Sequence, residues 1–500
     1  MRRRLPLLSL DQLWPIVGLA FALLYTSLVP QPPNDLWWHL RIGQIIAERG
    51  VIPQANLFAW TLPADAPFTY AAWLGELWLY RLYTWGGLAL LLFVRTLIVG
   101  AALALTAWEA HRRSRSWRVA ALVLLLTALM VSNNLIVRTQ MWSWLPFILI
   151  LHLLGRYAEG KLPPAWLALL PLLLALWSNL HGAFVLGLGL AGLFAVGESW
   201  RTWRRAEGAL PWPRLRALLL AVGASIAAVM ANPRGAGIYR YVLNLLTNAP
   251  VQKLIVEWQP PTPQGMANTT FFAAVLLLLV LFAFSRRRPT TTQTLLLVVF
   301  LWMAWGSQRS VLWFAFVAAP ILAEQVAALA PARLIRAAAP RNALNLLLAL
   351  LVWVPVLLVQ PWWIEDSALL PYGYWEQVWR GTEAGPLVDR HTPVKAAAYL
   401  EAHPAEHLFN EMGYGSYLIW ALPKQPVFID PRIELFPYEL WQDYAAISHG
   451  VRYNALLRKY GVETLLIDRQ LQRDLSLSLA EDPGWTLVYS DEMAEIWQRR

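Results

Sequence analysis

Apolar blocks that approach the length of a bilayer-crossing helix recur along this chain from Trp14 to Gln360 and then stop. A hydrocarbon core of roughly 30 Å takes about 20 apolar residues per helix. The blocks place about eleven spans, near residues 14–30, 87–108, 117–132, 139–157, 163–179, 182–200, 214–231, 269–284, 290–305, 310–330 and 341–360. The third and fifth are short, which leaves their tilt and depth open. Length alone, 500 residues, suggests about three soluble domains, but a chain that is 58% hydrophobic and only 14% charged overrides that reading. The first block follows Arg2, Arg3 and Arg4, as in a signal peptide. The stretch after it, Val29-Pro30-Gln31-Pro32-Pro33, is a poor cleavage site, so it reads as a retained span. No internal repeat is visible, which weakens a transporter reading built on inverted repeats.

The connections between blocks alternate sharply in Lys and Arg. One set holds Arg2 to Arg4; Arg112, Arg113, Arg115 and Arg118; Arg156 with Lys161; Arg201, Arg204, Arg205, Arg214 and Arg216; Arg286 to Arg288; and Arg333, Arg336 and Arg341. The other set is longer in total and much poorer in basic residues. The positive-inside rule makes the first set cytoplasmic, and an odd number of spans then places the C-terminus outside. The net charge of +10 thus sits in short clusters between spans, not in one patch suited to nucleic acid. With no Cys, the chain has no disulfides and no thiol chemistry.

The expected architecture is an α-helical polytopic membrane protein with a small C-terminal α/β soluble domain. Residues 1–360 form the transmembrane domain, with a large first outer loop at 31–86, and residues 361–500 form an extracytoplasmic domain. In the outer loop, Trp38, Ile42, Ile45 and Ile46 recur at helical spacing and Gly50 ends the run. Residues 72–83 form a second amphipathic piece, and both are expected along the membrane surface. A further large outer loop covers 232–268. In the tail, helices are expected at 394–401, 438–447 and 453–460, and strands at 427–430, 464–467 and 486–489, a pattern that suggests a small α/β unit.

No Walker loop, dinucleotide fingerprint or HExxH occurs. The Gly-rich run at 187–192 lies inside an apolar span and reads as small-residue helix packing. The informative pattern is polar residues at the outer ends of spans: Asp35 and His39, Arg138 and Gln140, Asn179 and His181, Asn232 and Arg234, Glu257, and Gln308 with Arg309. They share one membrane depth, so a bundle brings them toward one outer cavity, where carboxylates, arginines and His suit a lipid phosphate beside a polar substrate. Each has a plainer reading. Asp35 fits a helix cap, and Glu76 fits the wet face of a surface helix. His39 fits a solvated interfacial residue, Asn179 and Asn232 fit backbone satisfaction at span ends, and Arg234 and Arg309 fit snorkelling side chains. Arg95, inside span two, needs a buried partner. Most of the 29 Trp residues fit an interfacial belt.

The run Asn34-Asp35-Leu36-Trp37-Trp38-His39-Leu40-Arg41-Ile42-Gly43, then Ile52-Pro53 and Trp73-Leu74-Gly75-Glu76, resembles the first outer loop of GT-C-type integral membrane glycosyltransferases. Val137-Arg138-Thr139-Gln140, Asn179-Leu180-His181-Gly182 and Asn232-Pro233 resemble segments of bacterial members. The order of these short motifs carries the resemblance, which covers most of the membrane region. It implies an inverting glycosyltransferase of the cell membrane that uses a polyprenyl-phosphate sugar donor and a glycan, lipid or protein acceptor on the outer face. In this family the catalytic carboxylate sits just after the first span, which maps onto Asp35. Many relatives carry a second acidic residue beside it; here that position is Leu36, so the sequence does not require a divalent metal. On this reading Asp35 takes the acceptor proton, and Arg234 or Arg309 stabilises the leaving phosphate. His39, Glu76, Arg138, His181 and Glu257 complete the substrate-binding set. The rival reading is a non-enzymatic transporter or scaffold for lipid-linked glycan, which has no requirement for Asp35.

Overall fold

The structure, a computed structural model, describes residues 7–248, 253, 255–331, 341–360 and 387–500. The basic residues Arg2 to Arg4, Arg333 and Arg336, and the expected start of the external domain at Pro361, lie outside the described residues.

Each predicted span holds a helix. In chain order the membrane half contains α1 (Leu10–Ser27), α2 (Leu36–Arg49), α3 (Trp73–Ser114), α4 (Trp117–Met130), α5 (Trp144–Ala158), α6 (Leu169–Leu180), α7 (Phe184–Trp203), α8 (Trp212–Ala228), α9 (Gly237–Thr247), α10 (Met266–Phe284), α11 (Thr291–Gly306), α12 (Val311–Leu329) and α13 (Ala343–Leu358). Of these, α2 and α9 belong to the two large outer loops. By length and composition, α3, α10 and the stretch Gln308–Leu329 are each sufficient to cross a membrane; α4, α6, α11 and α13 are apolar and shorter. The first and last spans are tied at one end by a two-residue ladder, Leu8 opposite Asn342 and Ser9 opposite Arg341. Ser9 also opens α1 with a capping box to Gln12, which satisfies two otherwise unpaired groups at the helix start.

The helix expected at 72–83 is present: backbone angles leave the helical region at Gly86 and Gly87 and divide α3 into an outer helix, which begins at Trp73, and the span that follows. Gly87 takes φ +61°, a conformation that favours glycine. Arg95, buried in α3, donates from Nη1 to the Val29 carbonyl at 2.8 Å and from Nη2 to the Thr26 carbonyl at 2.5 Å. It neutralises the C-terminal end of α1, where carbonyls lack intrahelical partners. Its role is therefore structural: it fixes the point from which the chain leaves the membrane toward Asp35.

The C-terminal domain, expected from sequence to be external, carries a four-stranded sheet of order β3-β4-β6-β5, made of β3 (Leu408–Asn410), β4 (Thr464–Asp468), β5 (Trp485–Ser490) and β6 (Ala494–Arg499). The short pair at 8–9 and 341–342 supplies β1 and β2. Only β3 and β4 run parallel. Around the sheet lie α14 (Val394–Ala402), α15 (Met412–Ala421), α16 (Tyr438–Ser448), α17 (Tyr453–Lys459) and α18 (Arg473–Glu481). The expected strand at 427–430 is not part of the sheet. Its backbone is satisfied elsewhere: the Val427 amide donates to Phe58, the Phe428 amide donates to the Asn410 side chain, and the Ile429 carbonyl accepts from that same side chain.

The first outer loop shares the external domain's core. Trp38, Ile42, Ile45, Ile46, Phe68 and Tyr70 pack with Phe428, Leu466 and Ile496. The apolar face expected on the membrane surface is buried under this domain instead, with Ile42 at 0% exposure. Asp430 and Arg432 belong to the same seam. Arg432 forks onto Asp430 at 2.8 and 2.6 Å, donates to the Tyr70 hydroxyl at 2.9 Å and stacks on Phe58 and Phe68. Both are buried, so the pair acts as a rivet between loop and domain.

Candidate active site

Asp35 stands where a cap residue would stand, immediately before α2, yet it caps nothing. Its backbone is helical (φ −48°, ψ −32°) and its side chain makes no capping hydrogen bond; capping residues ordinarily take extended backbone angles, which aim the side chain back at the first turn. The first-turn amide of Trp38 is met by the external domain instead: it donates to Ser416 Oγ at 3.2 Å, and that hydroxyl donates to the Asn34 carbonyl at 2.5 Å. The seat is close because Gly413, one turn earlier on α15, lies against the Pro33 carbonyl; a Cβ there would sit 2.7 Å from that oxygen. The Trp37 ring meets Tyr417 edge-on at 5.1 Å. Gln31 extends the seam, taking the Val137 amide at 3.0 Å and donating to the Asn34 side chain at 2.8 Å. Gln31 thereby also sets the segment leading to Arg138.

The half-buried Asp35 carboxylate shares its surroundings with four charged groups from distant parts of the chain. Its charge reaches Arg138, Arg309 and Glu434, and Glu257 stands against the same two arginines. Arg138 is largely committed: Nη1 holds both Glu257 oxygens at 2.9 Å. Burial opposes the charge on Glu257, but Arg138 and Arg309 outweigh it and hold that carboxyl below its usual range. Arg309 is the less occupied cation, with one long hydrogen bond to Gln140 at 3.3 Å and its guanidinium 5.1 Å from the Trp258 ring centre. Arg234 is exposed beside Tyr241, a residue that also senses Arg309 and Glu434.

The remaining expected residues form the wall beneath. His39 Nδ1 lies 2.9 Å from Glu76 Oε1, with the two residues 5% and 1% exposed. The wet-face reading of Glu76 is thus overturned: α2 packs directly on the start of α3 and turns that face inward. Gly43 permits the crossing, since a Cβ there would stand 2.2 Å from the Glu76 carbonyl oxygen. His181 Nδ1 accepts from the Ala183 amide at 3.1 Å and pairs with Ser143 Oγ at 3.0 Å, whose own acceptor position is taken by Trp177 Nε1. That pattern places the ring proton on Nε2. Asn179 ties Trp73 of α3 to the Ala231 carbonyl, and Asn232 donates to the Ser178 carbonyl at 2.9 Å. These two asparagines therefore satisfy backbone and hold span ends together.

Two residues of the site come from the tail: Ser416, which sequence reasoning missed, and Glu434, the last residue of the polar motif that runs from Phe428 to Glu434. Glu434 is half-buried; burial raises its carboxyl above the usual range, and Asp35 nearby adds to the effect. Among the described residues, no three His, Asp or Glu side chains converge as a metal centre requires. His39 and Glu76 hold each other, Glu257 is held by Arg138, and two arginines stand where a cation would be needed.

No family model matches the chain, and no curated protein matches its sequence. Among solved structures, the oligosaccharyltransferase AglB of Archaeoglobus fulgidus, in complex with an inhibitory peptide and a dolichol-phosphate, aligns with a TM-score of 0.50 at 14% identity, over 97% of this chain and 74% of its own. ArnT from Cupriavidus metallidurans, bound to undecaprenyl phosphate, aligns over 96% of this chain and 97% of its own, with a TM-score of 0.49 at 14% identity. The AglB likeness shows the fold: this chain is a multi-pass membrane protein of the GT-C architecture with a small C-terminal sheet domain.

Proposed function

We propose that this protein is an inverting glycosyltransferase that moves a sugar from a polyprenyl-phosphate-linked donor to a hydroxyl acceptor at the outer membrane face. The observation that carries the reading is the released carboxylate. Asp35 sits at a helix start whose amide is capped by another domain, and it faces two arginines and a second acid. In the step, the acceptor oxygen attacks the sugar C1, the bond from C1 to the phosphate oxygen breaks, and Asp35 takes the acceptor proton. Arg309 and Arg234 stabilise the charge on the departing polyprenyl phosphate. Glu434, the carboxyl near Asp35 that burial holds above its usual range, holds the acceptor or the sugar by hydrogen bonding. The His39–Glu76 pair and His181 shape the floor. The fold likeness to a protein solved in complex with a dolichol-phosphate supports a lipid-phosphate donor, and the alternation of basic clusters supports a cytoplasmic N-terminus and an external C-terminal domain.

Asp35→Asn tests the reading with little disturbance, because the side chain makes no cap bond to lose. Expression and donor binding should persist while sugar transfer falls by roughly a hundredfold or more. Full transfer by this variant would leave the enzyme reading without its base and favour the transporter or scaffold.

A further inference from the structure

A second cavity, about 510 Å³, opens at the membrane face opposite Asp35, between the far ends of α3, α5, α7, α11 and α12. Protein interiors close-pack and hold few voids larger than a water molecule, so an opening of this size between five helices calls for an occupant. Its deep wall is apolar and includes Leu105, Ile148, Leu151, Phe194, Leu296 and Phe316.

Its rim carries three nearly buried carboxylates, and each is already matched. Arg113 bridges Glu109 and Glu324. Gln293 donates to Glu324 at 3.1 Å. Arg201 Nη1 holds both Glu198 oxygens at 2.8 and 2.9 Å, and Thr292 donates to Glu198 at 2.7 Å. Carboxylates at helix ends in a membrane are costly unless paired; a fourth lining carboxylate, Glu159 at the end of α5, pairs with Arg112 and Arg113, so the pairs join all five helix ends, and Arg287 offsets the one carboxylate that Arg112, Arg113 and Arg201 leave over. What remains at the mouth is basic. Arg287, with its side chain 56% exposed, stands 3.5 Å from the shared Glu324. Lys161 and Arg288 form no ion pair among the described residues, and all three line the cavity.

We propose that this cavity binds an anionic phospholipid of its own leaflet, with the phosphate against Lys161, Arg287 and Arg288 and one acyl chain in the apolar pocket. The positive-inside rule accounts for basic residues on this face, but not for an apolar hole beneath them. Depth selects the occupant. On α12 the lining runs from Phe316 to Glu324, about 12 Å at roughly 1.5 Å of rise per residue, which stays within half of a hydrocarbon core of roughly 30 Å. That suits a leaflet-confined acyl chain; a long polyprenyl chain would have to leave the pocket. The site is independent of sugar transfer.

Native mass spectrometry of the full-length protein, incubated with phosphatidylglycerol, phosphatidylcholine or a polyprenyl phosphate, tests this. Wild type should retain phosphatidylglycerol roughly tenfold better than phosphatidylcholine, as a cluster of basic groups at a lipid surface gives. Arg287→Gln with Arg288→Gln, on exposed side chains, should erase that preference without changing the melting temperature. Leu151→Trp, which fills the pocket and leaves the rim intact, should abolish retention of both phospholipids. Equal retention of the two phospholipids by wild type, an unchanged preference in the double variant, undiminished binding in Leu151→Trp, or stronger binding of polyprenyl phosphate than of phosphatidylglycerol would each overturn the proposal.

Discussion

Ser416→Ala removes one hydroxyl on the external domain, and its effect should be read at Asp35. The hydroxyl makes two hydrogen bonds to the turn that carries the carboxylate, at 3.2 Å from the Trp38 amide and 2.5 Å to the Asn34 carbonyl. Leaving a buried amide unmet costs about 1–3 kcal/mol. The acceptor best placed to repair the loss is Asp35 itself, since Asp is among the strongest N-caps and a cap returns about 1 kcal/mol. The variant therefore recovers part of its stability by turning the base into the helix, for a net loss of about 0–2 kcal/mol. A base displaced by an ångström or more costs on the order of a hundredfold in rate. Initial rates with a polyprenyl-phosphate sugar should show kcat down by roughly ten- to a hundredfold with KM for the donor nearly unchanged, because Arg234 and Arg309 are untouched. Hydrogen exchange over residues 34–38 should speed up in parallel. The deciding comparison uses Asp35→Asn as background. There, adding Ser416→Ala should lower stability as before but not lower kcat further, because no base is left to misplace. A wild-type rate in Ser416→Ala refutes the argument, and so does an equal fold-loss in both backgrounds.

Arg234→Ala combined with Arg309→Ala should weaken binding of a polyprenyl-phosphate sugar, measured by titration, while thermal stability stays near that of wild type. Gly43→Ala should be costly for so small a change, about 1–3 kcal/mol by overpacking, because the new methyl meets backbone at 2.2 Å; melting curves and loss of transfer both report it. Glu411, which caps α15 by accepting from the Tyr414 amide at 2.8 Å, has its carboxyl pushed up to about 7, first by burial and further by Asp468, against the opposing amides of Gly413, Tyr414 and Met412. Between the ordinary value of 4.5 and 7 the folded state holds a proton that the unfolded state has released. Stability should therefore fall as pH rises through that window and level off above it, by roughly 3 kcal/mol at most, at about 1.4 kcal/mol per pH unit. Glu411→Gln should flatten this stretch of a melting-temperature profile.

The spans were legible because blocks of apolar residues, unlike short motifs, leave the chain few options, and basic clusters such as Arg286 to Arg288 mark their ends. The convergence of Asp35, Arg138, Glu257 and Arg309 followed from the same reasoning, since polar groups at one membrane depth share a cavity once the helices bundle. Glu76 was misplaced because periodicity identifies a polar face without saying what it meets; the partner, His39, lies on a different helix. The segment 427–430 reads as a buried strand by composition, but Asn410 satisfies its backbone with one side-chain amide and removes the need for a sheet neighbour. β3 is three residues long, too short for any alternation to register. Ser416 gives no local signal at all, because its partner Asn34 lies 382 positions away.

The shared core of the first outer loop and the tail sets a timetable for synthesis. Trp60 donates to the carbonyl of Leu408, 348 residues later in the chain. At roughly 5–20 residues per second, about 20–70 s separate the emergence of the loop from that of its covering partner. During that interval Trp38, Ile42, Ile45 and Ile46 have no domain to bury them, and the adjacent bilayer is the apolar surface at hand. The same delay governs activity. The Ser416 hydroxyl that meets the α2 amide beside Asp35 is made after every span, so a nascent or truncated chain that has already threaded the spans lacks it. On the proposed function, the order of translation alone keeps copies that lack this hydroxyl from acting as transferases.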